Sequence, residues 1–282
     1  MSLQENKLSK KLVSIVLCAG KGKRIRKIVS QSPKPLIKVD NKPLLSYLIS
    51  NLIHAGINSI YIITGHKREK IEDYIYSLIE NDTSLQNRVI TINSGNDYKK
   101  GPLYSFLSIT KNTKIIKNGG IYLIFPGDTY FESDLLKSIF ESLHSYLSTI
   151  EENPIVFYQK INGQQLKSSL DPNRVISTLE FKEETPYMRV KQIWQKKLRT
   201  ITNQETINRL IPLFVLSTSF INKILNIERN LSVKTMREIV NYLIKGDCTL
   251  AAYPINTQYT FYDIDTEFDL VRLKEKREKD NR

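Results

Sequence analysis

The 282-residue sequence predicts an α/β fold, with a mixed, largely parallel sheet flanked by helices. Two observations carry this expectation. Apolar runs of strand length, Leu12–Leu17 and residues 59–63, 89–92 and 121–125, alternate with segments whose apolar residues repeat at helical spacing. The first and last of these runs end directly in loops made for ligands: Cys18-Ala19-Gly20-Lys21-Gly22 after Leu17, and Pro126-Gly127-Asp128 after Phe125. A 40% hydrophobic content is enough for one large core, so residues 11–282 are expected to form one domain behind a polar, lysine-rich, disordered tail at 1–10.

The elements justify themselves in order. Residues 43–55 place Leu44, Leu45, Leu48, Ile49, Leu52 and Ile53 on one helical face, with Pro43 at the start and Gly56 at the stop. Thr64-Gly65-His66 turns into a second helix carrying Ile71, Tyr74, Ile75, Leu78 and Ile79. The first hundred residues therefore read β-α-β-α-β, which demands parallel strands and crossover helices. Gly101-Pro102 breaks the chain before a helix at 103–109. After Asp128, Leu135, Leu136, Ile139 and Phe140 mark another helix, for which Ser133 or Asp134 is the expected cap. Residues 155–158 and 211–216 read as strands, and 174–181 as a half-exposed one ended by Glu183-Glu184-Thr185-Pro186. Helices follow around Phe220 to Leu225 and over 233–245, then a strand at 249–255. Thr266 should cap a last helix, with Asp269 at the third helical position. The charged segment 274–282 is expected to fray.

Composition removes several classes of function. No apolar run reaches the length of a membrane span, and the N-terminus has no apolar core of a signal peptide. Cys18 and Cys248 form neither a disulfide framework nor a metal-ligand spacing, so a cytoplasmic setting is the expectation. Cys18 reads as a small buried residue, and His54, His66 and His144 are scattered without metal spacing. The net charge of +13 raises nucleic acid as a partner, but the lysines are spread along the whole chain without a basic–aromatic stripe. Phosphate-rich small molecules demand the same sign of charge, and no nucleic-acid partner is expected.

The chemistry concentrates in three stretches. Gly20 and Gly22 allow a tight turn whose backbone N–H groups can converge on phosphate oxygens, with Lys21, Lys23 and Arg24 beside them. The loop lacks the third glycine of a dinucleotide fingerprint and the Gly-Lys-Ser/Thr ending of a Walker loop. Pro33 and Pro35 stiffen the backbone around Lys34, so its ammonium is presented from a rigid loop. Asp128, at the carboxyl end of a buried strand, needs a cation or donors. Asp263 and Asp265 follow another apolar stretch, and a shared sheet edge would bring an acid from each stretch together.

These motifs resemble those of the sugar-1-phosphate and phospho-alcohol nucleotidyltransferases: Ala19-Gly20-Lys21-Gly22-Lys23-Arg24, then Pro33-Lys34-Pro35-Leu36, then Asp263-Ile264-Asp265-Thr266 with Asp269-Leu270. The resemblance implies a Rossmann-like, GT-A-like nucleotidyltransferase fold. It also implies transfer of NMP from an NTP to a small phosphorylated sugar, polyol or amino-alcohol, with release of pyrophosphate. It assigns catalysis to Arg24 and Lys34, and nucleotide binding to Leu17, Ala19, Gly20, Lys21, Gly22, Lys23, Gly101, Ser105 and Asp128. Mg²⁺ would be held by Asp128 and Asp265. The turn Gly101-Pro102-Leu103-Tyr104-Ser105 is most similar to that of inositol-1-phosphate and phosphocholine cytidylyltransferases, which implies CTP or UTP. The acceptor pocket would come from residues 153–200. Two alternatives share these features: a molybdopterin-type guanylyltransferase, and a catalytically silent regulatory or binding subunit. Neither the acceptor nor the oligomeric state follows from the sequence.

Overall fold

The computed structural model describes residues 12–22, 32–112, 115–117, 119–184 and 188–280. The expected tail at 1–10, and Lys23, Arg24 and Tyr187, lie outside the described residues. The sheet is built on β1 (Leu12–Leu17), which pairs in parallel with β4 (Ile60–Thr64) and β6 (Ile121–Pro126), while β4 pairs in parallel with β5 (Val89–Asn93). Strand side chains alternate between two apolar layers. In β6, Ile121, Leu123 and Phe125 join one core, and Tyr122 and Ile124 join the other. Helices α1 (Leu44–His54), α2 (Arg68–Asn81) and α4 (Ser133–Ser145) cover the first face through Leu48, Ile75 and Ile139. On the opposite face, α3 (Pro102–Leu107), α7 (Thr218–Ile227) and α8 (Met236–Lys245) supply Phe106, Phe220 and Val240. Two short pieces, β2 (Lys38–Val39) and β3 (Lys42–Pro43), form a small hairpin before α1.

The parallel expectation holds for β5-β4-β1-β6 and weakens beyond it. Next to β6 lies β11 (Thr206–Ser217), antiparallel to both β6 and β8 (Ile155–Asn162). Parallel pairing returns between β8 and β12 (Ala251–Pro254), and the sheet closes with β10 (Met188–Lys197) and β9 (Val175–Glu184), both antiparallel. The sequence reading missed β10 because its register shifts on both sides of Val190, so its apolar residues lose strict alternation.

The remaining helices are α5 (Leu147–Glu152), α6 (Gly163–Ser169) and α9 (Glu267–Asp280). The segment expected to fray from 274 onward is helical through Asp280, tied down by Arg277, which bonds to Asp40 and Tyr130. The cap of α4 also differs from expectation. Ser133 and Asp134 are its first helical residues; Glu132 holds the cap position and accepts the backbone N–H of Thr260 instead.

Candidate active site

Parallel pairing of β1 and β6 sets Leu17 level with Pro126, so the loops that leave these strands rise side by side. Gly127 makes this contact possible. Its N–H donates to the Leu17 carbonyl at 3.0 Å, and a Cβ there would meet the Cys18 sulfur at 2.4 Å. Cys18 is itself buried, and burial, followed by the nearby Asp128 carboxylate, drives its thiol pKa far up. It is a packing residue, as read from sequence.

Asp128 and Asp265 are brought together by a ribbon separate from the main sheet. Strands β7 (Thr129–Phe131) and β13 (Phe261–Asp263) pair antiparallel with Thr129 opposite Asp263, and the Ile264 N–H donates to the Asp128 carbonyl at 3.1 Å. The sheet edge expected from sequence is replaced by this two-stranded clasp. The Thr266 hydroxyl accepts from the Asp269 N–H at 3.3 Å, and the Asp269 carboxylate accepts from the Thr266 N–H at 2.7 Å, completing the predicted capping box. That carboxylate also takes the Asp265 N–H at 2.9 Å, which fixes the backbone beneath Asp265.

Lys34 sits in a single 3-10 turn, Lys34–Leu36, entered from an extended Pro33. Its residue surface is 7% exposed, and its ammonium donates at 2.7 Å to one oxygen of Asp128 and at 2.7 Å to one of Asp265. Burial opposes the charged ammonium, but Asp128 and Asp265 together outweigh burial and hold its pKa above the ordinary lysine value. Lys34 is therefore a fixed cation at neutral pH.

Arg174, just before β9, was missed by the sequence reading. It is buried and lies 3.1 Å from Asp263, 3.5 Å from Asp265 and 2.8 Å from Asp269. Burial pulls its pKa down, and the three aspartates pull it up further, for a net rise. Asp263 also accepts from the Thr129 hydroxyl at 2.5 Å, and Arg174 reaches both Asp263 and Asp265, so these two acids, two residues apart in extended chain, share one cation. The signal was present in the sequence: four acids between 263 and 269 have no cation beside them in the chain, and a distant one had to arrive.

A cavity of about 670 Å³ opens above Lys34 and brings together Leu17, Ala19, Gly20, Lys21, Gly22, Ser105, Asp128 and Asp265, with Tyr98 and Lys99 added. Gly101 does not line it. Its φ of 139° and the 2.6 Å that would separate a Cβ from the Lys234 carbonyl make it a steric hinge that starts α3 under the cavity. Trp194 is 46% exposed and bonded to Glu180 on the sheet surface, away from the cavity. A second cavity of about 330 Å³ shares Leu17, Pro102, Pro126 and Asp265 with the first, and extends toward Arg174, Arg209, Arg237 and Asp263.

No three His, Cys, Asp or Glu residues among the described residues cluster as a metal site. Asp128 and Asp265 do converge on one cationic nitrogen. That donor set suits Mg²⁺, which commonly takes one or two carboxylates and completes its shell with phosphate oxygens and water.

A glycine loop, a clamped lysine and two aspartates thus meet beside the carboxyl ends of β1 and β6. Residues 13–152, just under half of the chain, match the nucleotidyl transferase family. The D-glycero-alpha-D-manno-heptose 1-phosphate guanylyltransferase of Aneurinibacillus thermoaerophilus is 35% identical over 127 residues, 44% of this chain and 49% of that protein. The choline-phosphate cytidylyltransferase of Streptococcus pneumoniae is 41% identical over 73 residues, 24% of this chain and 32% of that protein. These matches span about half or less of either relative. The fold extends further: a UDP-glucose pyrophosphorylase solved with UDP-glucose superposes with a TM-score of 0.68 at 17% identity, covering 96% of this chain and 99% of that one. The architecture is thus the GT-A-like nucleotidyltransferase fold over nearly the full length.

Proposed function

We propose that this chain transfers NMP from an NTP to the phosphate of a small phosphorylated acceptor, releasing pyrophosphate. The observation that carries this reading is Lys34, whose ammonium is held 2.7 Å from both Asp128 and Asp265 at the floor of the glycine-loop cavity. The NTP enters the larger cavity, with its phosphates against the amides of Gly20, Lys21 and Gly22 and its base toward Tyr98, Pro102 and Ser105. By resemblance, Arg24 holds the β- and γ-phosphates. An acceptor phosphate oxygen attacks the α-phosphorus in line. A P–O bond forms there as the bond to pyrophosphate breaks, and the pyrophosphate carries off the electron pair. That oxygen is already anionic at neutral pH, so the protein supplies position and positive charge, with no proton transfer required. Lys34, kept protonated by its aspartates, moves onto the α-phosphate and the acceptor phosphate, where charge is reorganised in the transition state. Asp128 and Asp265 would hold Mg²⁺, whose contribution is to neutralise and orient the α-phosphate.

The acceptor belongs in the second cavity, which meets the first at Asp265. For the base, the 101–105 turn supports CTP or UTP, whereas the heptose-phosphate relative, a guanylyltransferase by name, supports GTP. Pyrophosphate release with CTP, UTP and GTP, each paired with sugar 1-phosphates, inositol phosphate and phosphocholine, tests the reading. Turnover with CTP or UTP is expected. Preference for GTP would move the assignment to the guanylyl class, and silence in every pairing would favour a regulatory subunit.

A further inference from the structure

The second cavity carries a charge that the reaction does not use. Arg209, on β11, is only 9% exposed, and its guanidinium lies 3.9 Å from the Phe261 ring centre. Among the described residues it has neither a hydrogen-bond partner nor an ion-pair partner for its side chain. The nearby charges are Asp263, Arg174 and Asp269, and none of the acids comes within salt-bridge distance of Arg209. Burial lowers its pKa to about 10, and the attraction of Asp263, which makes no ion pair with it, does not offset that burial. The cavity offers no spare counter-charge. Its two aspartates, Asp263 and Asp265, are already bound to Arg174, and Asp265 to Lys34 as well. At the rim, Arg237 has Glu238 at 3.7 Å, but that carboxylate is shared with the amides of Lys234 and Thr235.

A buried guanidinium without a partner is costly unless a ligand completes it. The reacting phosphate belongs at the other end, where Lys34 and Asp128 stand in the first cavity and are absent from the second. An acceptor bearing only hydroxyls would leave Arg209 uncompensated. A quaternary ammonium would be repelled by it, and Arg209 already covers the Phe261 face such a group would need.

We propose that Arg209 is a specificity residue, and that the acceptor is a phosphorylated sugar or polyol carrying a second anionic group, a carboxylate or a further phosphate, which Arg209 binds with Arg237 at the rim. This inference rests on the assignment of the second cavity to the acceptor.

Three probes differ only in that group: glucose 1-phosphate, glucuronic acid 1-phosphate and glucose 1,6-bisphosphate. Binding of each is measured by calorimetry, and kcat and KM wherever pyrophosphate is released, for wild type, Arg209→Gln and Arg209→Lys. Wild type should bind one of the two acidic probes at least about tenfold more tightly than glucose 1-phosphate, the size expected of one charge-assisted contact. Which of the two binds identifies carboxylate or phosphate. Arg209→Gln should remove that preference through KM, leaving KM for the nucleotide in place, and Arg209→Lys should keep part of it. Arg209→Gln should melt no lower than wild type, because it removes an uncompensated buried charge.

Equal affinity for all three probes overturns the proposal. So does an equal loss for all three in Arg209→Gln, which would mean that Arg209 holds the reacting phosphate. A melting temperature many degrees lower in Arg209→Gln and Arg209→Lys alike would make the residue structural. The calorimetry needs no chemistry, so pyrophosphate silence would overturn the enzymatic reading while the binding data still decide on Arg209.

Discussion

Replacing Lys34 with methionine keeps much of its stem and removes the one charge that joins Asp128 to Asp265. Two charge-assisted bonds at 2.7 Å are lost. Water can replace part of the first, because the Asp128 side chain is 35% exposed, and Asp265 retains Arg174 at 3.5 Å. With about 1.5–3 kcal/mol for each bond to a charged group and a discount for that exposure, the loss comes to roughly 2–4 kcal/mol. In a chain of this length that corresponds to a fall in Tm of about 5–10 °C. The pH dependence has a definite sign. Lys34 titrates above its ordinary 10.5 in the folded state, so its contribution is complete below pH 10.5 and is lost as pH climbs through the raised value. The gap between wild type and variant should stay flat around neutrality and close only in strong alkali. Melting curves in EDTA and in Mg²⁺ supply the second arm. Mg²⁺ should raise the Tm of Lys34→Met more than that of wild type, because only the variant lacks a cation between the two acids. Turnover should fall about 10²–10³-fold, as for loss of one transition-state donor. A variant that melts within about a degree of wild type in EDTA, or gains no more from Mg²⁺, would refute the clamp and its link to metal binding.

Two more outcomes follow from the same geometry. A Cβ on Gly20 meets nothing within 4 Å, and Gly20 has no left-handed φ, whereas Gly22 sits at φ 59°. Gly20→Ala should therefore leave the Tm unchanged while raising KM for the nucleotide at least tenfold (roughly, for blocked phosphate approach); unchanged KM would reduce the loop to a plain turn. Asp128→Asn and Asp265→Asn should each cut turnover by orders of magnitude, and the double variant should be little worse than the worse single one, because both act on one ion. Asp263→Asn should be milder in Mg²⁺ titrations of turnover, since Asp263 faces Arg174 and Thr129; if it alone is inactive, the second metal ligand has been misassigned.

What the sequence made legible was local. Apolar periodicity placed β1, α1, β4, α2, β5 and β6, because these segments bury one face or both and little in the chain around them competes with that pattern. Lys34 and Asp128 were legible because prolines and a strand end isolate them. The Thr266–Asp269 cap was legible because its two partners lie three residues apart. Arg174 and Arg209 were not: each owes its role to partners roughly a hundred or fifty residues away through β13, and neither neighbourhood differs from an ordinary strand. Gly101 was read as a nucleotide contact because it opens the turn whose Pro102 and Ser105 line the cavity; the constraint on it is the Lys234 carbonyl on the far side.

The clasp between β7 and β13 also sets a schedule for the molecule. A chain emerging from the ribosome with residues up to 260 exposed already has the glycine loop, Lys34, Asp128 and every strand of the main sheet. It lacks Asp265, the three acids that neutralise Arg174, and the helix that holds them in place. Joining Thr129 to Asp263 closes one of the longest loops in the fold, among the contacts that cost most chain entropy and so form late. The floor of the cavity is thus left open until the sheet can already support it, and a half-made chain has its glycine loop before it can bring the two acids together.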